Sequence, residues 1–337
     1  MLRVPYDDLY AALERAMQGL GFEPDRAAKC ARLFAETTRD GVYTHGLNRF
    51  PRFVEPIANG SVNVAAEPTK IAGFGALERW DGHRGVGNLN ASACMQRAID
   101  LARQHGIGGV ALANTNHWMR GGSYGWQAAE QGVFAICWTN TLANLPAWGA
   151  TIPTLGNNPL IIAIPRAGGH IVLDMAMSQF SYGTLDAYSK RGQPLPVDGG
   201  FDLAGNLTKD AAAIEASQRA LPIGYWKGSG LSLVLDMLAA MLSGGLATHQ
   251  IPLDPTRESG ISQIFLAVDA GTIAQPQELS RIADGILDSL REATPADPGK
   301  PVRYPGAQTL QLREENLRLG VPVDPEIWRR ISDSSSS

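Results

Sequence analysis

Apolar residues spaced at i, i+3, i+4 and i+7 dominate the opening of the chain, the pattern of helices that bury one face. Leu9, Ala12, Leu13, Ala16, Met17 and Leu20 make one stripe, with Asp7 or Asp8 as the expected cap and Gly21 as the stop. A second helix is predicted after Pro24-Asp25, where Ala27, Ala28, Ala31, Phe34 and Ala35 share a face that runs into Thr37-Thr38-Arg39-Asp40. A short helix follows Pro51 and ends by Gly60. The period then changes. Ile71 to Trp80 reads as strand, with a turn at Asp81-Gly82 that leaves His83 facing solvent. Leu89 to His105 is helical through Ala93, Met95, Ala98, Ile99, Leu101 and Ala102, and Gly106 to Ala113 is a strand of the buried type. Helix followed by strand argues an α/β fold.

Further along, a glycine-rich loop, Asn114 to Gly125, feeds a helix expected from Trp126 to Gln131. Phe134 to Thr139, Leu160 to Pro165 and His170 to Ser178 read as strands. Asn140, Asn157 and Asn158 stand at strand ends, and Asp174 is a carboxylate in a strand that should bury it, so it needs a partner. Lys190 to Lys209 is rich in Gly, Pro and Asp and suits an exposed excursion over a site. A long apolar helix, Leu231 to Leu242, carries Asp236 as either a satisfied buried acid or a support for the site. Ile264 to Val268 is a strand, Gln277 to Arg291 and Thr309 to Leu319 are helices, and the serine-rich end reads as a disordered tail.

With 337 residues, 44% of them hydrophobic and 18% charged, the chain has the make-up of a globular protein with a sizeable core. A net charge of −4 with no dense Lys/Arg run argues against nucleic acid as a partner. Cys30, Cys94 and Cys137 are widely separated, with no paired spacing, which favours a reducing cytoplasm. No apolar run is long enough to span a membrane. Neither G-x-G-x-x-G after a strand nor a P-loop is present, so a Rossmann fold is not expected. His45, His117 and Asp174 have no local ligand spacing, and no metal is expected. Gly121 to Gly125 spells G-x-S-x-G, but the preceding strand should end well before Ser123, so a glycine-rich turn is the better reading than a nucleophilic serine.

Two stretches carry candidate chemistry. In Asp40 to Phe50, Gly41 and Gly46 bracket a turn that presents His45, and Arg49 lies one turn beyond if helix resumes. An imidazole that can give a proton beside a guanidinium that can hold a carboxylate is a minimal 2-oxo-acid site. His117 with Arg120 is a second polar cluster at the C-terminal end of a strand, where open α/β sheets bind ligands. Lys227-Gly228-Ser229-Gly230 opens a helix whose backbone amides and positive dipole end make an anion site.

Thr44-His45-Gly46 with Arg49, Asn116-His117, Thr139-Asn140, Gly156-Asn157-Asn158-Pro159, Asp174-Met175, Lys227-Gly228-Ser229-Gly230-Leu231 and Pro305-Gly306 occur in an order that resembles the malate/L-lactate dehydrogenase family lacking a Rossmann fold. The resemblance runs from about Val4 to Trp328. It implies a non-Rossmann mixed β-sheet core flanked by helices, of the L-sulfolactate dehydrogenase type. A helical segment, 1–73, carrying the catalytic histidine would pack with 301–331; 74–300 would form the cofactor and substrate domain, and 332–337 the tail. It also implies a cytoplasmic homodimer that uses NADH, with NADPH possible, on a small 2-oxo sugar acid. In that picture His45 is the proton donor, Arg49 clamps the C1 carboxylate, His117 lies against the carbonyl or the sugar hydroxyls, and Thr44 and Asp202 return a proton to His45. The cofactor contacts would be His170, Ile171, Val172, Leu173, Asp174, Met175, Ala176, Trp226, Lys227, Gly306, Ala307 and Gln308. The chain departs from the family pattern at Thr44, where Ser is usual, and at Ala307-Gln308, where an acid or His follows the Pro-Gly pair. Within the family the expected reaction is reduction of a 2,3-diketo sugar acid at C2. The alternatives are dehydrogenation of malate, lactate, ureidoglycolate or another 2-hydroxy acid and, from another class, a non-catalytic sugar-acid binding protein.

Overall fold

The computed structural model describes residues 2–333. A short strand, β1 (Leu2–Val4), leads into α1 (Tyr6–Gly19) and α2 (Pro24–Arg39). Leu9, Ala12, Leu13 and Met17 of α1 share one core cluster with Ala27, Ala31, Phe34 and Ala35 of α2, as the stripes require. Neither Asp7 nor Asp8 caps α1. The N-cap is Pro5, without a side-chain bond, and both acids lie in the first turn, where the positive end of the helix dipole favours them. Two single 3-10 turns, Tyr43–His45 and Leu47–Arg49, precede α3 (Phe50–Ala58).

The stretch expected as one strand is a hairpin, β2 (Thr69–Phe74) and β3 (Leu77–Asp81), joined by the two-residue turn Gly75-Ala76. Then come α4 (Gly87–His105) and β4 (Ile107–Thr115), which runs past the expected end at Ala113. α5 (Gly122–Glu130) begins well before Trp126, so the glycine-rich run is largely the first turn of a helix, with Ser123 in it. β5 (Phe134–Thr139), the small pair β6 (Leu145–Pro146) and β7 (Pro153–Leu155), β8 (Leu160–Ile164) and β9 (Ile171–Met175) follow. The excursion after β9 is partly ordered as α6 (Tyr182–Arg191), the hairpin β10 (Gly200–Phe201) and β11 (Leu207–Thr208), and α7 (Ala211–Ser217). α8 (Trp226–Ser243) starts at the glycine-rich segment itself, ahead of Leu231. The chain ends with β12 (Ile261–Val268), α9 (Pro276–Arg291), α10 (Ala307–Leu319), β13 (Val321–Val323) and α11 (Pro325–Asp333). That last helix takes in the first residues of the expected tail, and 334–337 lie outside the described residues.

Seven strands form one sheet in the order β2-β3-β4-β12-β5-β8-β9. Only β3 and β4 pair in parallel, so the sheet is mixed. Strand alternation divides its two faces: Val110, Leu112, Phe265 and Ala267 join α4 and α5 in one core, whereas Ala111 and Ile264 join α6, α7 and α8 in another. A third core holds α1 to α3 together with Val321, Val323 and Ile331. β13 pairs antiparallel with β1, Leu2 opposite Val323, and so staples the two chain ends together. No helix among the described residues is long and apolar enough to cross a membrane.

Candidate active site

The loop carrying His45 is fixed from behind by the end of α2. Thr38 Oγ1 accepts the Leu47 N–H at 2.9 Å, and it can come this close because position 46 is glycine: a Cβ there would stand 2.9 Å from the Thr38 backbone nitrogen. Asp40 sits at the C-cap of α2, where the negative end of the helix dipole opposes a carboxylate. Three arginines compensate. Arg120 Nη1 donates at 2.8 Å, Arg313 Nε and Nη2 at 2.9 and 2.8 Å, and Arg39 Nε at 2.9 Å. Burial alone would raise the Asp40 pKa, but the bond from Arg313 and the charges of Arg120 and Arg39 bring it down to about 2. One buried carboxylate thus ties α2 to the loop after β4 and to α10.

In front of this hub lies a cavity of about 290 Å³, with Thr44, His45, His117, Arg120, Thr139, Thr141, Asn157, Asp174, Ser181 and Thr184 in its wall. The His45 and His117 rings are nearly parallel, 12° apart, with centroids separated by 6.2 Å. Thr44 Oγ1 is 3.1 Å from His45 Nδ1. His117 Nδ1 accepts the Met119 N–H at 3.1 Å, so its neutral ring carries the proton on Nε2 and offers a donor. Burial, then the charges of Arg49 and His45, push the His117 pKa well below the usual imidazole range. Burial and Arg49 also lower that of His45, while Asp174 pulls it back up. Of the two imidazoles, His45 is therefore the one more readily protonated.

Arg49 is half-buried on the second 3-10 turn, close enough for its charge to act on both histidines. Among the described residues its guanidinium has no hydrogen-bond acceptor and no carboxylate at ion-pair distance, although the buried Glu258 acts on it electrostatically. A cation held this way is poised for an anion.

The other candidates divide. Asn157 lines the cavity, but Asn140 and Asn158 are consumed inside, Asn140 by Asp236, Leu246 and Ser262 and Asn158 by Thr141 and Ser232. Asp236 is the satisfied buried acid, accepting from Asn140 and the Thr248 N–H. Asp174 is exposed rather than buried, because β9 is the sheet edge, and its Oδ2 accepts the Gly122 N–H at 2.8 Å. Asp202 is not brought to the cavity. It closes the β10–β11 turn by accepting the Asn206 N–H at 2.8 Å, a use of Asp that turns favour. The residues over the cavity are instead Ser181 and Thr184 at the start of α6, where Ser181 is the N-cap.

Two further anion-receiving places border β9. Gly306, at φ +97°, is the N-cap of α10 without a side-chain bond, and a Cβ there would meet the His170 carbonyl at 3.1 Å and the Val172 nitrogen at 3.2 Å. Beyond the other end of β9, Met177 O accepts the Ile223 N–H at 2.9 Å, which brings the chain beside the turn before α8. There Trp226 and Lys227 are exposed, and among the described residues the Lys227 ammonium has no hydrogen-bond or ion-pair partner. Among the described residues no cluster of three or more His, Cys, Asp or Glu stands ready for a metal.

Sequence reasoning passed over Asp40, Arg313 and Glu258. A signal existed only for Asp40, since an acid at a helix C-terminus demands cationic partners.

Residues 4–332 match the family described as malate/L-lactate dehydrogenase. The chain is 48% identical over 330 residues to a 2,3-diketo-L-gulonate reductase of Shigella boydii, covering 98% of this chain and 99% of the relative. Among solved structures it superposes on sulfolactate dehydrogenase from Methanocaldococcus jannaschii with a TM-score of 0.90 at 24% identity, covering 99% and 98% of the two chains. Malate dehydrogenase from Pyrococcus horikoshii gives 0.89 at 26% identity, with 99% and 95% covered. The protein is an oxidoreductase acting on a hydroxy or oxo acid, and its being a dehydrogenase implies a nicotinamide cofactor. The chain belongs to the malate/L-lactate dehydrogenase family.

Proposed function

We propose that this protein reduces the C2 carbonyl of 2,3-diketo-L-gulonate to give 3-dehydro-L-gulonate, with NADH as the reductant and His45 as the proton donor. The observation that carries this is the facing pair His45 and His117 beside a guanidinium that has no protein partner. Arg49 holds the C1 carboxylate, which fixes the carbonyl relative to the two rings. His117, neutral with its proton on Nε2, donates a hydrogen bond to the carbonyl oxygen and polarises it. His45 then gives its proton to the forming alkoxide, and because burial and the charge of Arg49 lower its pKa, the protonated ring gives that proton up readily. Thr44, bonded to His45 Nδ1, orients the ring.

The residues bordering β9 fit a dinucleotide. The first turn of α10, Gly306 to Gln308, has no side-chain cap and lies against His170 to Val172; the Ala307 N–H donates to the Tyr304 carbonyl at 3.2 Å, and glycine at 306 keeps the approach open. Leu173 to Ala176 continue that edge, and Trp226 and Lys227 offer an aromatic face and a cation at its far end. A reduced nicotinamide, when bound, supplies the hydride that C2 receives.

The active form is a homodimer. α8 presents Val234, Met237, Leu238 and Met241 at 49, 52, 40 and 78% exposure, an apolar stripe that a second copy would cover.

The direct test mixes purified protein with NADH and 2,3-diketo-L-gulonate and follows nicotinamide absorbance, against NADPH and against pyruvate and oxaloacetate at equal concentration. Fast oxidation of NADH by the diketo acid is expected. Preference for a short 2-oxo acid would move the assignment to a malate- or lactate-type enzyme, and failure to bind NADH would leave only a sugar-acid binding protein.

A further inference from the structure

Glu258 stands shortly before β12, 8% exposed, and no motif in the sequence points to it. Its Oε1 accepts the Leu142 N–H at 3.4 Å, at the outer limit of a hydrogen bond, and Oε2 has no partner among the described residues. Its neighbours belong to the cavity wall: Thr141, beside Leu142, and Ile261, which opens β12, both line it. Arg49 is the charged group that acts on it, yet the two form no ion pair. Burying a carboxylate with most of its acceptor capacity unused is costly, and proteins keep such groups where a ligand completes them.

We infer that Glu258 is a specificity-determining residue, accepting hydrogen bonds from hydroxyl groups of a polyhydroxy acid whose carboxylate lies on Arg49. The inference rests on the reading of this cavity as a 2-oxo-acid site and adds what selects among such acids. A carboxylate has two acceptor oxygens and no donor, so it matches hydroxyls and repels a second carboxylate. A short monocarboxylate leaves it unsatisfied, and a dicarboxylate meets like charge.

The test compares wild type with Glu258→Gln, which keeps the volume, and Glu258→Ala, measuring KM and kcat for 2,3-diketo-L-gulonate, pyruvate and oxaloacetate. In both variants the KM for the polyhydroxy acid should rise about tenfold or more, with kcat changing far less. The preference for it over pyruvate should fall about tenfold, and oxaloacetate should gain relative to both. Equal losses on all three substrates, or no change in their ratios, would overturn the role while leaving the oxidoreductase reading standing. A wild type that reduces no 2-oxo acid at all would remove both together. Thermal unfolding of each variant separates these outcomes from misfolding, and the Gln variant stays informative if the Ala variant does not fold.

Discussion

Arg49 and Lys227 both lack an ion-pair partner among the described residues, and they sit in opposite surroundings. Arg49 is half-buried on the second 3-10 turn, with two histidines and the buried Glu258 in range of its charge. Lys227 is exposed at the start of α8, next to an apolar stripe that nothing among the described residues covers. Burial amplifies the electrostatics of the first place. The second is open to water and salt and lacks a wall. The difference teaches that a charge walled in by several elements acts on its neighbours far more strongly than one left in water.

The strongest way to break this contrast is His45→Ala. Turnover should fall by about 10²- to 10⁴-fold, with NADH binding, read by fluorescence, almost unchanged. Equal turnover would remove the proton donor from the account. Next is the hub behind the cavity: Asp40→Asn strips a buried carboxylate from three arginines and should cost about 3 kcal/mol of stability in a denaturant titration. The same group makes a pH prediction. Its folded pKa, about 2, lies below the ordinary 3.8, so its contribution is complete above pH 4 and is lost as pH falls from there toward 2.

A direct comparison of the two cations comes third. Arg49→Ala should raise the KM for the 2-oxo acid by about a hundredfold, whereas Lys227→Ala should weaken only the cofactor, about threefold, and more so at low salt. Comparable effects from both would erase the contrast. Met241→Glu, placing charge on the α8 stripe, should yield monomers in light scattering and lower cofactor affinity by about as little as Lys227→Ala. Full dimerisation would show that another face pairs the chains. The smallest effect concerns protonation. With its pKa lowered by burial, His45 is protonated only toward acid, so kcat/KM for reduction should fall as pH rises through a value below the usual imidazole range. Asp174 opposes that lowering, and Asp174→Asn should move the limb to still lower pH.

What could be read in advance followed local physics. α1 and α2 announce themselves because each buries one helical stripe, and His45, Arg49 and His117 lie in short motifs whose chemistry is carried by neighbours in sequence. Reading also failed at close range, where one turn or one side-chain bond decides the outcome. The hairpin β2–β3 turns at Gly75-Ala76, inside what looked like one strand. Asp202 looked like a site residue because its loop is polar, yet its carboxylate is consumed by Asn206.

The sequence by itself determined the α/β class and the absence of a Rossmann phosphate loop, since period and motif are properties of neighbouring residues. Only the tertiary structure decided that Asp40 gathers Arg39, Arg120 and Arg313, that Glu258 acts on Arg49, and that β1 pairs with β13. These contacts join residues far apart in the chain, and which of many chemically equivalent partners meet is settled by how the cores pack.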